Sequence, residues 1–267
     1  MGVNLLHNAY WTAKEYIINQ RGELEYVGPG YTIDRWKLSG VADSKITIES
    51  DGILFSSGSG TTLFQQIFDI PYYGDITFSV FCAESSGCYI SFGSTNVPII
   101  PGLTSLTQKK DALRTAPYIW SGVGGKCKAI AAKLEPGPIS TLAHKDASGN
   151  WVLNDPPPDP ALELLKCQRY YIKSYFRYVC TKMKFFNQAL TNVLFPVRMR
   201  GQPTVSLRSH LGTPGTLSYF NSGLDSDITA EVNNAYLTPD GFNAISVNAD
   251  LVDGESYMFM YESSADL

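Results

Sequence analysis

The segment Lys45-Ile46-Thr47-Ile48-Glu49 alternates polar and apolar residues, and Asp51-Gly52 separates it from Ile53-Leu54-Phe55. A period of two places every apolar side chain on one face of an extended strand, and Asp-Gly is the strongest short hairpin signal. The pattern recurs along the chain. Ile76, Phe78, Val80 and Cys82 share one face, as do Cys88, Ile90 and Phe92 after a turn at Ser85-Ser86-Gly87; Lys126 to Leu134 continues the series. Thr61 to Ile70 reads as a strand, with Ile76 to Cys82 as its candidate partner. Farther on, Phe176, Tyr178 and Cys180 alternate with polar or smaller residues, Val205 and Leu207 share a face, and so do Ile245, Val247 and Ala249. A chain patterned this way buries one face of many short strands and has little use for a helical core.

Composition fits that reading. Of 267 residues, 17% are charged and 12% aromatic, with 23 Gly and 15 Pro to supply turns. The length allows one large domain or two ordinary ones. From Glu135-Pro136-Gly137-Pro138 to Asp155-Pro156-Pro157-Pro158-Asp159-Pro160 the chain is rich in proline, which cannot donate to a sheet ladder. Asp159 before Pro160 is a helix start, and Ala161, Leu164, Leu165 and Gln168 follow helical spacing, which predicts one short helix from Pro160 to about Tyr170. The predicted fold is all-β: a jelly-roll β-sandwich over residues 1–136, a Pro-rich linker and short helix over 137–166, and a smaller β-domain over 167–267. In the last strand Tyr257, Phe259 and Tyr261 oppose Met258 and Met260, so both faces are apolar and both need cover; the second cover is expected from another subunit.

Little in the sequence points to catalysis. No run of 18 apolar residues predicts a membrane-spanning helix, and the N-terminus lacks a secretory pattern. The five cysteines are odd in number and form no C-x-x-C pair, so neither a disulfide framework nor a zinc site is expected. Cys82 and Cys88 could face each other across a hairpin, but free thiols in a core are the favoured reading. His7, His144 and His210 are scattered and sit in no nucleophile–base arrangement. Gly58-Ser59-Gly60 and Gly122-Val123-Gly124-Gly125 lack the Lys-Ser/Thr of a phosphate loop and read as turns. The carboxylates show no informative pairing for a glycosidase. No catalytic residue, metal ligand or cofactor is therefore expected.

Lys166 to Arg200 contains eight Lys or Arg and no acid, interleaved with aromatics, whereas Gly201 to Leu267 is acidic apart from Arg208. Bases among aromatics can bind single-stranded nucleic acid. An equally acidic neighbour would quench such a patch, so strand pairing between the two segments is preferred and nucleic acid is disfavoured. Trp36, Trp120, Tyr72 and Tyr73 are the candidates for stacking on a sugar ring, alongside Trp11 and Trp151. Against this, large aromatics in a sandwich usually belong to the core.

Several phrases together resemble the C-terminal region of bacteriophage tail-fibre and minor structural proteins. They are Asn4-Leu5-Leu6-His7-Asn8, Asn19-Gln20-Arg21-Gly22, Gly30-Tyr31-Thr32-Ile33-Asp34-Arg35-Trp36, Gln65-Gln66, Lys133-Leu134-Glu135-Pro136-Gly137, Cys167-Gln168-Arg169-Tyr170-Tyr171, Phe195-Pro196-Val197-Arg198-Met199-Arg200 and Pro203-Thr204-Val205. In order and spacing they cover nearly the whole chain. The resemblance implies a carbohydrate-binding-like jelly roll, then a small terminal β-module, in a virion component that is often trimeric. It fixes no ligand residues; Asp34, Arg35 and Trp36 read better as a strand anchor through a charge-assisted bond and ring packing. Fibre proteins usually carry a shaft before this module, whereas here it begins at Met1. The expected function is a non-catalytic virion tail protein, assembled in the host bacterial cytoplasm, that binds a bacterial surface glycan as a homotrimer without entering a membrane. The alternative is a structural adaptor or decoration protein that binds other virion proteins and no sugar; a depolymerase with paired carboxylates stands third.

Overall fold

The computed structural model describes residues 2–66, 74–92, 94–110, 116–183, 187–219, 228–247 and 251–265. The chain divides into two compact units, one up to Leu164 and one from Leu165 on. Both are β, so the all-β expectation holds.

The first unit contains β1 (Glu25–Val27), β2 (Gly30–Tyr31), β3 (Lys37–Gly40), β4 (Lys45–Glu49), β5 (Gly52–Ser56), β6 (Thr62–Gln65), β7 (Gly74–Phe92), β8 (Thr95–Pro98), β9 (Gly102–Lys110), β10 (Tyr118–Pro136), β11 (Ala143–Lys145) and β12 (Trp151–Leu153). Ten of these form one sheet that curls into a half-barrel. Its spine is the antiparallel ladder between β7 and β10, each 19 residues long. Strands so long cannot stay flat. Register shifts between Ser121 and Lys126, between Lys128 and Ala129, and between Ala129 and Ala131 mark where the ladder bends. One end of β10 pairs with β6, which continues through β3 to β2; farther along, β10 pairs with β5, which leads through β4 to β1. The two faces expected of a sandwich are thus carried by one sheet folded about its own spine.

The predicted turn at Ser85-Ser86-Gly87 does not exist. Ser85 and Ser86 pair with Cys127 and Lys126, and the strand runs through, its irregularity absorbed as bulging. Cys82 and Cys88 therefore lie on one strand rather than across a hairpin, and all five cysteines are buried thiols in no disulfide. The Lys45–Glu49 hairpin forms as expected, with its turn one residue early: Glu49 pairs with Gly52, leaving Ser50 and Asp51 in the bend. β6 is a strand but pairs with β3 and β10 instead of Ile76 to Cys82. Residues 67–70 of that predicted strand lie outside the described residues.

The core explains the motifs of the N-terminal third. Asn8, at φ 50, accepts from the Ile18 amide and donates to the Ile18 and Asp34 carbonyls. The fully buried Asp34 carboxylate accepts from the backbone and side-chain N–H groups of Gln20. Separate phrases of sequence are thereby locked into one polar knot, a use of buried polar groups that holds only while every member is satisfied. Beside it, Asn4 to Trp11 lies along β10, with Leu5 N bonding to Leu134 O and Trp11 N to Ile130 O.

The Pro-rich stretch is not a free linker. It forms the β11–β12 hairpin, whose turn is held by Asp146 accepting from Ser148 N and Asn150 N. Its start is pinned to the end of β10 by a buried cluster: Lys133 Nζ donates to Thr141 Oγ1 at 2.9 Å and Asp155 Oδ2 at 2.5 Å, while Glu135 accepts from Thr141. Both backbone groups of Thr141 are satisfied by side chains, its N–H by Glu135 and its carbonyl by Asn154. The helix α1 (Pro160–Gln168) starts where predicted, Asp159 accepting from Ala161 N at 2.8 Å, and ends two residues early.

The second unit contains β13 (Tyr171–Lys173), β14 (Tyr178–Lys182), β15 (Gln188–Leu194), β16 (Thr204–Arg208), β17 (Thr216–Tyr219), β18 (Ile228–Val232), β19 (Leu237–Thr238), β20 (Gly241–Val247) and β21 (Ser256–Ser264). The order β21-β14-β15-β20-β18-β17 returns to β21, which closes a barrel, with β13, β16 and β19 each added to one strand of it. Tyr257, Phe259 and Tyr261 point into its core, and Met258 and Met260 are half-buried on the other side. Phe176, predicted in the strand, is 78% exposed and precedes it. The basic and acidic segments meet within the chain: Lys182 pairs with Asp253 and Arg198 with Asp240, while Arg208, the one base of the acidic segment, pairs with Glu262.

Candidate functional site

The predicted sugar-stacking residues separate sharply. Trp36 is 1% exposed. It stacks on Phe64 at 4.7 Å between ring centroids and meets Trp11 edge-on at 5.1 Å. Its Nε1–H donates to the Asn8 carbonyl at 2.8 Å. With its ring buried and its donor used, Trp36 is core and cannot receive a ligand. Tyr72 and Tyr73 lie outside the described residues. Trp151 is half-exposed, against Phe81, with Lys145 Nζ 5.3 Å from its ring, and it pins the β11–β12 hairpin.

Trp120 is different. Its neighbour Ile119 points into the core at 0% exposure, so alternation turns Trp120 to the outer face of β10. Two cross-strand rows define that face. One runs Pro98, Tyr89, Trp120, Leu63, Ser39, and the next runs Asn96, Ser91, Tyr118, Gln65, Lys37, Tyr31. Tyr89 and Trp120 are direct partners, their rings parallel to within 13° and 4.5 Å apart. The indole N–H donates to Asn96 Oδ1 at 3.2 Å, fixing the ring across the strand diagonal. At the other end, Tyr31 lies under Lys37 Nζ, 5.5 Å away, and the Arg21 guanidinium, 5.4 Å away.

The result is a fixed, half-buried aromatic platform flanked by the amides of Asn96 and Gln65, by hydroxyls and by Lys37. Stacked rings on rigid strands lose little freedom on binding, and the ring faces turned away from the stack suit the C–H face of a pyranose. The flanking amides and hydroxyls can both donate and accept, as sugar hydroxyls require, and the lysine adds a donor. The two rows contain no carboxylate. Among the described residues no group of His, Cys, Asp and Glu side chains is placed to hold a metal ion, and no helix is long and apolar enough to cross a membrane.

Sequence reasoning reached Trp120 but missed Tyr89 and Tyr118. Tyr118 was recoverable, because it stands two residues from Trp120 and shares its face. Tyr89 depends on a strand register set by the whole β7–β10 ladder. No protein-family model matches the chain, and none of the curated proteins matches it significantly.

Proposed function

We propose that this chain is a non-catalytic structural protein of a bacteriophage tail that binds a bacterial surface glycan through the Tyr89–Trp120 face. The observation that carries the sugar-binding part is the stacked ring pair held on the outer face of rigid strands. The resemblance to tail-fibre and minor structural proteins supplies the virion setting. A single shallow platform binds weakly, so the reading includes a homotrimer, whose avidity multiplies such sites. In its favour, Met258 and Met260 put apolar surface on the outer side of β21, next to Val179, which is 44% exposed and pairs with Met258. The alternative, an adaptor that binds other virion proteins without sugar, is favoured by Tyr175 and Phe176, exposed at 68% and 78%.

The test is binding of the purified chain to arrayed bacterial surface glycans, with solution mass recorded alongside. Binding to a defined glycan that is lost in Trp120→Ala supports the first reading. Silence across glycans from many bacteria supports the adaptor. A monomeric mass at micromolar concentration contradicts the trimer.

A further inference from the structure

The second unit contains a built pocket on the outside of its barrel. Between Leu190 and Val193 the register of β15 against β20 shifts, so Thr191 and Asn192 both stand opposite Asn243. Such a bulge re-aims side chains, and here it brings Asn192 beside Asn243. The opposite wall is a short 3₁₀ turn, Asn234–Tyr236, capped by the Asn233 side chain accepting from Ala235 N at 3.0 Å. That turn presents Tyr236, 47% exposed. Leu194 and Asp240 complete a cavity of about 140 Å³. Its base is tight: Gly241 sits at φ +151, and a Cβ there would fall 2.0 Å from the Val193 carbonyl oxygen.

We infer that this cavity is a binding site for one neutral saccharide residue, stacked on Tyr236 and hydrogen-bonded by Asn192 and Asn243. The volume is well beyond the roughly 10–15 Å³ needed for a single water and on the scale of one sugar ring. An apolar side chain placed there would strip water from the two amides without replacing its hydrogen bonds. A phosphate would want an unpaired cation, but Arg198 is engaged with Asp240 at 2.6 Å. An aromatic face beside two amides, each able to donate and accept, matches the C–H face and vicinal hydroxyls of a pyranose. The inference extends the sugar-binding reading to a second place in the chain, while resting on residues of its own.

The test is saturation-transfer NMR on the full chain with methyl glycosides of glucose, galactose, mannose, rhamnose and N-acetylglucosamine. The Trp120→Ala variant silences the first face and isolates the second. It is expected to keep transfer to at least one glycoside, and adding Tyr236→Ala or Asn243→Ala is expected to weaken that transfer about tenfold, the equivalent of one good contact. All three side chains are at least partly exposed, and an unchanged melting temperature confirms the fold. If Trp120→Ala binds no glycoside, or binds one regardless of Tyr236, the pocket is not a sugar site. Wild-type transfer abolished by Trp120→Ala alone overturns only the pocket; silence from the wild type counts against both sites.

Discussion

Trp36 and Trp120 are the same residue type with opposite fates. Trp36 sits among Trp11 and Phe64 in the core, whereas Trp120 stands on the outer face against Tyr89. Trp36→Ala should cost about 3–5 kcal/mol through lost burial and the cavity left behind. Trp120→Ala should cost no more than about 1.5 kcal/mol, the scale of an aromatic pair. Urea denaturation of the two variants separates them; equal losses would contradict the assignment. Lys133 offers a second contrast. Its ammonium is fully buried between Asp155, Thr141 and Glu135. Removing it as Lys133→Ala strands Glu135, 1% exposed, and should cost about 3–5 kcal/mol by the same measurement. None of this was legible from residue type. Composition shows that a chain has tryptophans and lysines; only the register of its strands shows which ones face inward.

Elements were easier to read than their boundaries. Alternation located Lys45–Glu49 and its return strand, and Asp159-Pro160 located the helix, because these signals are local. The false turn at Ser85-Ser86-Gly87 has a physical reason. Small polar residues serve equally well in a turn and in a bulged strand, and the long partner β10 decides between them. The Pro-rich stretch misled for a related reason: proline forbids ladder positions, but side chains from outside the stretch anchor it. The β11–β12 hairpin is held in part by Trp151, whose Nε1 would lie 2.2 Å from a Cβ at Gly102, where φ is +95. Gly102→Ala should therefore displace Trp151, lower stability by about 1–3 kcal/mol and hasten tryptic cleavage at Lys145. An unchanged cleavage rate would show that Trp151 does not hold the hairpin.

At the scale of the whole molecule, buried thiols and phenols make the fold sensitive to alkali. Burial pushes Cys88 from 9.0 to about 11 and Cys180 from 9.0 to about 12. It pushes Tyr26 and Tyr257 from 10.0 to about 12, and Tyr261 and Cys127 also move up, the latter chiefly through its hydrogen bond with Cys82. A folded-state value above the unfolded one gives stability that is whole below the unfolded value and is lost as pH rises through the folded one. The melting temperature should therefore hold through pH 8 and fall progressively from about pH 9, near the ordinary thiol value; a flat profile to pH 11 would contradict this burial. The all-β class was legible from pattern and composition together. Closure of the second barrel was not, since it rests on the pairing of β17 with β21, strands far apart in the chain. The central claim is that the Tyr89–Trp120 face receives a glycan. A bacterial glycan array probed in parallel with the wild-type chain and the Trp120→Ala variant tests it most directly. The wild type is expected to bind at least one defined glycan and a folded Trp120→Ala variant to lose that binding; equal binding by both, or by neither, would contradict a glycan site on this face.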